Sequence, residues 1–163
     1  MRLEEIFEED ETEHFAALDR TGFYGNQGAG CVFLAQDTKR FLLAHRSSAV
    51  EQPGTWGVWG GAINAREDPK TSATREAEEE SGYSGQIKMI PLYVFEAKKN
   101  GKVVFKYFNF LAVIPTEFTP RLNWESQGFQ WCEFGSWPSP LHFGVSAVLN
   151  DAASVQKMKN AMG

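Results

Sequence analysis

Three carboxylates carry the chemistry this sequence can do. In the run Arg75-Glu76-Ala77-Glu78-Glu79-Glu80, a helical wheel at about 100° per residue places Glu76, Glu79 and Glu80 within an arc of roughly 100° and turns Glu78 towards solvent. Like charges one turn apart repel each other, so a shared acidic face calls for compensating positive charge. A hard divalent cation supplies it, because Mg2+ is held by a few carboxylates together with water and substrate phosphates. The competing reading is a solvated acidic helix face that holds nothing.

The elements that must position these side chains are marked in the sequence. Asp68 is a good N-cap residue, since its carboxylate accepts from free amides of the first turn. Pro69 follows at the first helical position, where a missing amide costs nothing. Gly82 stands where a helix exits through a left-handed residue. The spacing predicts a helix between them, with Ala73 and Ala77 flanking the acidic arc and small enough for close approach to a sheet. Upstream, Gly57, Gly60 and Gly61 let the backbone run close to a metal or phosphate. Trp56 and Trp59 are candidates to stack on a base, with burial under the helix as the other reading.

From Gly60 to Tyr83 the spacing of Gly61, Glu67, Arg75, Glu76, Glu79, Glu80 and Gly82, with apolar Ala77 and Tyr83, resembles the Nudix box, the signature of the Nudix hydrolases. Ala77 is small for its slot, and Trp59 stands where the family commonly has proline. The resemblance implies an α/β fold: the Nudix-type α/β/α sandwich with a mixed β-sheet. It implies hydrolysis, with Mg2+ or Mn2+, of the pyrophosphate bond in a nucleoside diphosphate linked to another group. A nucleotide sugar or a nucleoside triphosphate is favoured. Metal ligands are then Glu76, Glu79, Glu80 and the Gly60 carbonyl. Glu76 or Glu125 is the candidate base, with Glu117 and Glu96 in reserve. Arg75 orients the carboxylates by pairing with Glu67, and Arg46 faces the diphosphate. The alternatives are a Nudix-like module that senses a nucleotide without cutting it, and a structural acidic helix in an interaction protein.

The remaining sequence bounds the setting. A chain of 163 residues with 42% apolar content suits one domain with one sizeable core, here residues 21–163 behind an acidic segment at 1–20. That segment holds eight acids against two bases, so the body is near neutral and can accept an anionic substrate. No basic patch marks duplex nucleic-acid binding. No apolar run of about 18 residues suggests a membrane span, and no secretory leader is visible. Cys31 and Cys132 read as reduced thiols in strands, so a cytoplasmic protein is expected, with a homodimer allowed but unsupported.

Strands are expected over 28–36 and 40–45 as a hairpin, 86–97 with an interruption at Pro91, 102–114 after an Asn100-Gly101 turn, and 128–134. A polar loop at 115–127 separates the last two. A helix opening at 139–144 runs to about Leu149, and another, capped by Asn150 or Asp151, runs to about Ala161. His142 is read as a capping or packing residue.

Overall fold

The computed structural model describes residues 26–50, 52–64 and 66–163. The acidic segment at 1–20 lies outside the described residues. The elements follow in the order β1 (Asn26–Ala35), β2 (Arg40–Arg46), β3 (Trp56–Gly57), β4 (Trp59–Ala62), α1 (Pro69–Ser81), β5 (Lys88–Lys99), β6 (Lys102–Ile114), β7 (Ser126–Glu133), α2 (Phe143–Leu149) and α3 (Ala152–Met162).

Both expected hairpins form. β1 and β2 pair antiparallel with Phe33 opposite Leu42, turning through Lys39 at φ 59°. β5 and β6 pair antiparallel around Asn100 and Gly101, whose φ values of 52° and 77° suit a tight hairpin turn. The interruption at Pro91 appears as a register shift between Pro91 and Val94, because proline donates nothing to the ladder. The two hairpins join through β1 and β6, which run parallel with Cys31 opposite Phe110. One seven-stranded mixed sheet results, in the order β3-β2-β1-β6-β5, with β4 paired to β1 and β7 to β2.

Alternation along the central strands gives the sheet two apolar faces. Cys31, Phe33, Phe110 and Ala112 meet Ala73 and Ala77 of α1 on one side. Val32, Leu34, Leu111 and Val113 meet Val145 and Val148 of α2 and Met158 of α3 on the other. The outcome is the expected α/β/α sandwich. Cys31 and Cys132 are buried free thiols, and burial pushes Cys31 up to about 12. Among the described residues, no helix is long and apolar enough to cross a membrane.

Four elements depart from expectation. The glycine segment before the box contains β3 and β4, paired with β2 and β1. β7 begins at Ser126, where the ladder with β2 opens opposite Arg46. The helix expected from residue 139 starts at Phe143. Residues 140–142 run instead along Trp56, which donates to the Pro140 carbonyl at 2.9 Å and accepts from the His142 amide at 2.9 Å.

His142 caps α2, its Nδ1 accepting from the Gly144 amide at 3.0 Å. Burial, helped by the charge of Arg46, pushes its pKa down to about 4 from 6.5. The unfolded chain therefore binds the extra proton first. Stability from a neutral His142 is complete above about pH 6.5 and is lost as pH falls towards 4, by on the order of 3 kcal/mol. His142→Asn keeps a cap acceptor but does not titrate. Urea melts at pH 7 and pH 5 are expected to show a smaller loss in this variant than in the wild type.

Candidate functional site

The box helix α1 forms with both ends closed as its sequence specifies. Asp68 accepts from the Thr71 amide at 2.7 Å and from its hydroxyl at 3.1 Å. Gly82 leaves the helix at φ 76° and donates to the Glu78 carbonyl at 3.0 Å. Packing of Ala73 and Ala77 on the sheet sets the rotation of the helix. Glu76 faces inward at 2% exposure, Glu80 is half-buried, and Glu79 stands at the outer edge with its side chain 64% exposed. Glu78 is exposed.

Arg75 ties the acids together. Its guanidinium forks onto Glu67, with Nε and Nη2 each 3.0 Å from a carboxylate oxygen. Nη1 reaches Glu76 Oε1 at 2.9 Å and Glu79 Oε2 at 3.4 Å. The hydrogen bond from Arg75 holds the Glu67 carboxyl below its ordinary range. At Glu76 burial wins over Arg75, and repulsion from Glu80 adds to it, so its proton affinity is raised.

A cleft opens beside the helix at its C-terminal end. Its walls include Arg46 from β2, Val58 and Gly60 from the glycine segment, Glu80 from α1, and Arg121, Asn123 and Glu125 from the loop before β7. The fold thus gathers Arg46, Trp59, Gly60, Glu80 and Glu125 in one place. Arg46 is only 6% exposed, unlike an ordinary surface arginine. Glu76 and Glu79 are not among the residues lining the cleft.

Gly60 is required sterically. A Cβ there would collide with the Tyr107 hydroxyl and meet the Ala29 carbonyl oxygen at 2.7 Å and the Gly30 Cα at 2.8 Å. The absence of a side chain serves close packing of β4 on β1 and room for Tyr107, in addition to any approach of phosphate.

The tryptophans and the reserve acids have partners of their own. Trp59 is buried and packs edge-on against Phe33 at 5.9 Å, because its position in β4 points to the α1 face. Trp56 is not among the cleft-lining residues and stacks on His45 at 4.2 Å. Both tryptophans have packing partners, and Trp59 also lines the cleft. Glu117 forms a two-point ion pair with Arg40 at 2.7 and 2.8 Å, and Glu96 lies 3.6 Å from Lys106 across the β5–β6 hairpin. Arg121 and Asn123 were not visible as site residues in the sequence, since polar residues in a polar loop carry no distinguishing pattern.

The donor set suits a hard cation. Among the described residues, no three carboxylate, imidazole or thiol groups converge closely enough to encage a metal by themselves. What the site offers is all oxygen: Glu80, Glu76 close enough to feel its charge, and the Gly60 backbone at the cleft wall. This partial set matches Mg2+, which keeps waters and takes substrate phosphates for its remaining positions.

Known proteins resemble this one throughout the described fold. The family profile of the NUDIX domain matches residues 26–149. A Mycobacterium tuberculosis protein provisionally named 8-oxo-dGTP diphosphatase 3 is 30% identical over 152 residues, covering 85% of this chain and 64% of its own length. The chain thus spans less than two thirds of that relative. In three dimensions the fold superimposes on the MutT NUDIX hydrolase of Burkholderia pseudomallei with a TM-score of 0.64 at 23% identity, over 78% of this chain and 98% of that one. It also matches the C. elegans Ap4A hydrolase at a TM-score of 0.56 and 21% identity, over 82% of this chain and 93% of that one.

Proposed function

This chain belongs to the Nudix hydrolase family, and from that premise we propose that it is a Mg2+- or Mn2+-dependent hydrolase of a nucleoside diphosphate linked to another group. The observation that carries the reading is the cleft itself, where Glu80, Gly60, Glu125 and Arg46 meet at the end of the box helix.

Glu76, Glu79, Glu80 and the Gly60 carbonyl would hold the cation. When bound, a divalent ion neutralises the diphosphate oxygens and acidifies the attacking water. The protein's own groups do the rest. Arg46, always charged and well buried, faces the anionic diphosphate. Glu125 takes the proton from the attacking water, leaving Glu76 to its ligand role. Arg75 keeps Glu76 and Glu79 oriented and draws part of their mutual repulsion onto itself. Every acid of the box is retained, so a non-cutting sensor is not favoured.

The cleft addresses the diphosphate, the part that all substrates of this kind share. The names of the M. tuberculosis and C. elegans relatives, 8-oxo-dGTP diphosphatase and Ap4A hydrolase, agree with substrates of this class.

The test is a panel of nucleoside triphosphates, nucleotide sugars, ADP-ribose and dinucleoside polyphosphates with Mg2+ or Mn2+. Release of a nucleoside monophosphate from at least one member is expected, abolished by excess chelator and restored by Mg2+. Turnover that persists in chelator, or none across the panel, would overturn the proposal.

A further inference from the structure

The loop ahead of β7 is fastened at both ends. At one end, the Arg121 amide donates to the Ser81 carbonyl at 2.7 Å and Arg121 Nη2 to the Glu79 carbonyl at 2.7 Å, closing two free acceptors at the C-terminus of α1. At the other, Ser47, one residue past β2, donates its amide to the Glu125 carbonyl at 2.8 Å and its hydroxyl to the Trp124 carbonyl at 2.7 Å. Between these anchors stands Asn123. Its Nδ2 donates to Glu80 Oε2 at 3.3 Å, and its Oδ1 accepts from the Glu125 amide at 2.9 Å.

We propose that Asn123 is a positioning residue that couples Glu80 to Glu125, locking the carboxylate of the box helix and the proton-accepting loop acid into one unit. The inference rests on the roles given to Glu80 and Glu125 above.

The chemistry of the amide makes the coupling directional. A carboxylate oxygen only accepts and a backbone N–H only donates, so the amide satisfies both partners in one orientation alone. Flipping it would set oxygen against oxygen and N–H against N–H. No other side chain of similar size meets both demands. Aspartate keeps the acceptor for Glu125 but turns a like charge on Glu80, and alanine keeps neither contact. Glutamine is longer by a methylene, which displaces both ends together. The bridge spans two segments 43 residues apart, and the Glu125 backbone is held by Asn123 on one side and by Ser47 on the other.

The plain alternative is a side-chain turn that merely stabilises the loop, since an Asn oxygen accepting from the amide two residues on is a common local motif. The two accounts separate in experiment. Amide hydrogen exchange of the folded protein, without substrate or metal, reads the bridge directly. In Asn123→Ala the Glu125 amide is expected to exchange at least about tenfold faster, while in Asn123→Asp it stays slow. On the best substrate of the panel, Asn123→Ala is expected to lower kcat by about 10- to 100-fold with KM changed less than about threefold. Asn123→Asp is expected to lower kcat by at least about fivefold despite its intact turn.

The decisive arm is a double-mutant cycle with Glu125→Gln. If Asn123 acts through Glu125, adding Asn123→Ala to Glu125→Gln costs less than about threefold more. Fully multiplicative losses, or unchanged Glu125 exchange in Asn123→Ala, would overturn the proposal. So would wild-type turnover by Glu125→Gln, which would leave metal-dependent hydrolysis itself standing on the chelator test. Should Asn123→Ala fold poorly, Asn123→Asp carries the same cycle, since it preserves the turn.

Discussion

Glu80→Gln is expected to lower kcat by about 10²- to 10³-fold, equivalent to about 3–4 kcal/mol of transition-state stabilisation. Of the box acids, Glu80 is the one whose side chain lines the cleft. The substitution keeps size and shape and removes one negative charge, so the loss falls on cation binding and on the transition state it serves. The fold should be indifferent to the change. Glu80 is only half-buried, and Asn123 Nδ2 can donate to a glutamine oxygen as it does to the carboxylate. A melting temperature within about 2 °C of wild type is therefore expected, as for surface changes that break no buried contact. Glu79→Gln should act in the same direction but less strongly, because Glu79 does not line the cleft and its exposed carboxylate leans towards Arg75 at 3.4 Å. Glu78→Gln, on the exposed side, is the control and should turn over at the wild-type rate. Parallel Mn2+ titrations by electron paramagnetic resonance would show weakened binding in Glu80→Gln and not in Glu78→Gln. Equal turnover by Glu80→Gln and Glu78→Gln would remove the box helix from the chemistry.

Gly60→Ala is the largest structural effect expected. Two of the three atoms that a new Cβ meets are backbone, the Ala29 carbonyl oxygen at 2.7 Å and the Gly30 Cα at 2.8 Å. Backbone held in a central ladder cannot rotate aside as a surface side chain can. The third is the hydroxyl of Tyr107, a ring only 2% exposed and so packed that it has nowhere to swing. Overpacking of this kind costs about 1–3 kcal/mol, and more where the backbone must move. For a chain of this size, a melting temperature lower by about 5–10 °C follows. Activity should fall further than stability explains, since β4 would have to separate from β1 and carry the Gly60 carbonyl away from Glu80. Adding Tyr107→Phe removes one of the three clashes and should recover only a minor part of the loss. If it restored the full melting temperature, the hydroxyl alone would be the obstacle and the backbone argument would fail.

Much of this protein was legible in its sequence because the informative signals are local. Asp68, Pro69 and Gly82 mark the ends of a helix by bonds that span three or four residues. The 3.6-residue period sorts Glu76, Glu79 and Glu80 from Glu78, and the box spacing implied the family. The hairpin at Asn100-Gly101 is equally local. Other features depend on where distant segments come to rest. β1 beside β6 in parallel, β4 against β1, and residues 140–142 lying along Trp56 all arise from pairings with partners remote in the chain. Gly60 is glycine partly because Tyr107, 47 positions later in the sequence, fills the space a side chain would need. Asn123 and Arg121 look like any polar loop residues until tertiary contacts lay them against Glu80 and the end of α1. A side chain's neighbours along the chain constrain its helix or strand, whereas its neighbours in space are set only when the two faces of the sheet are buried together.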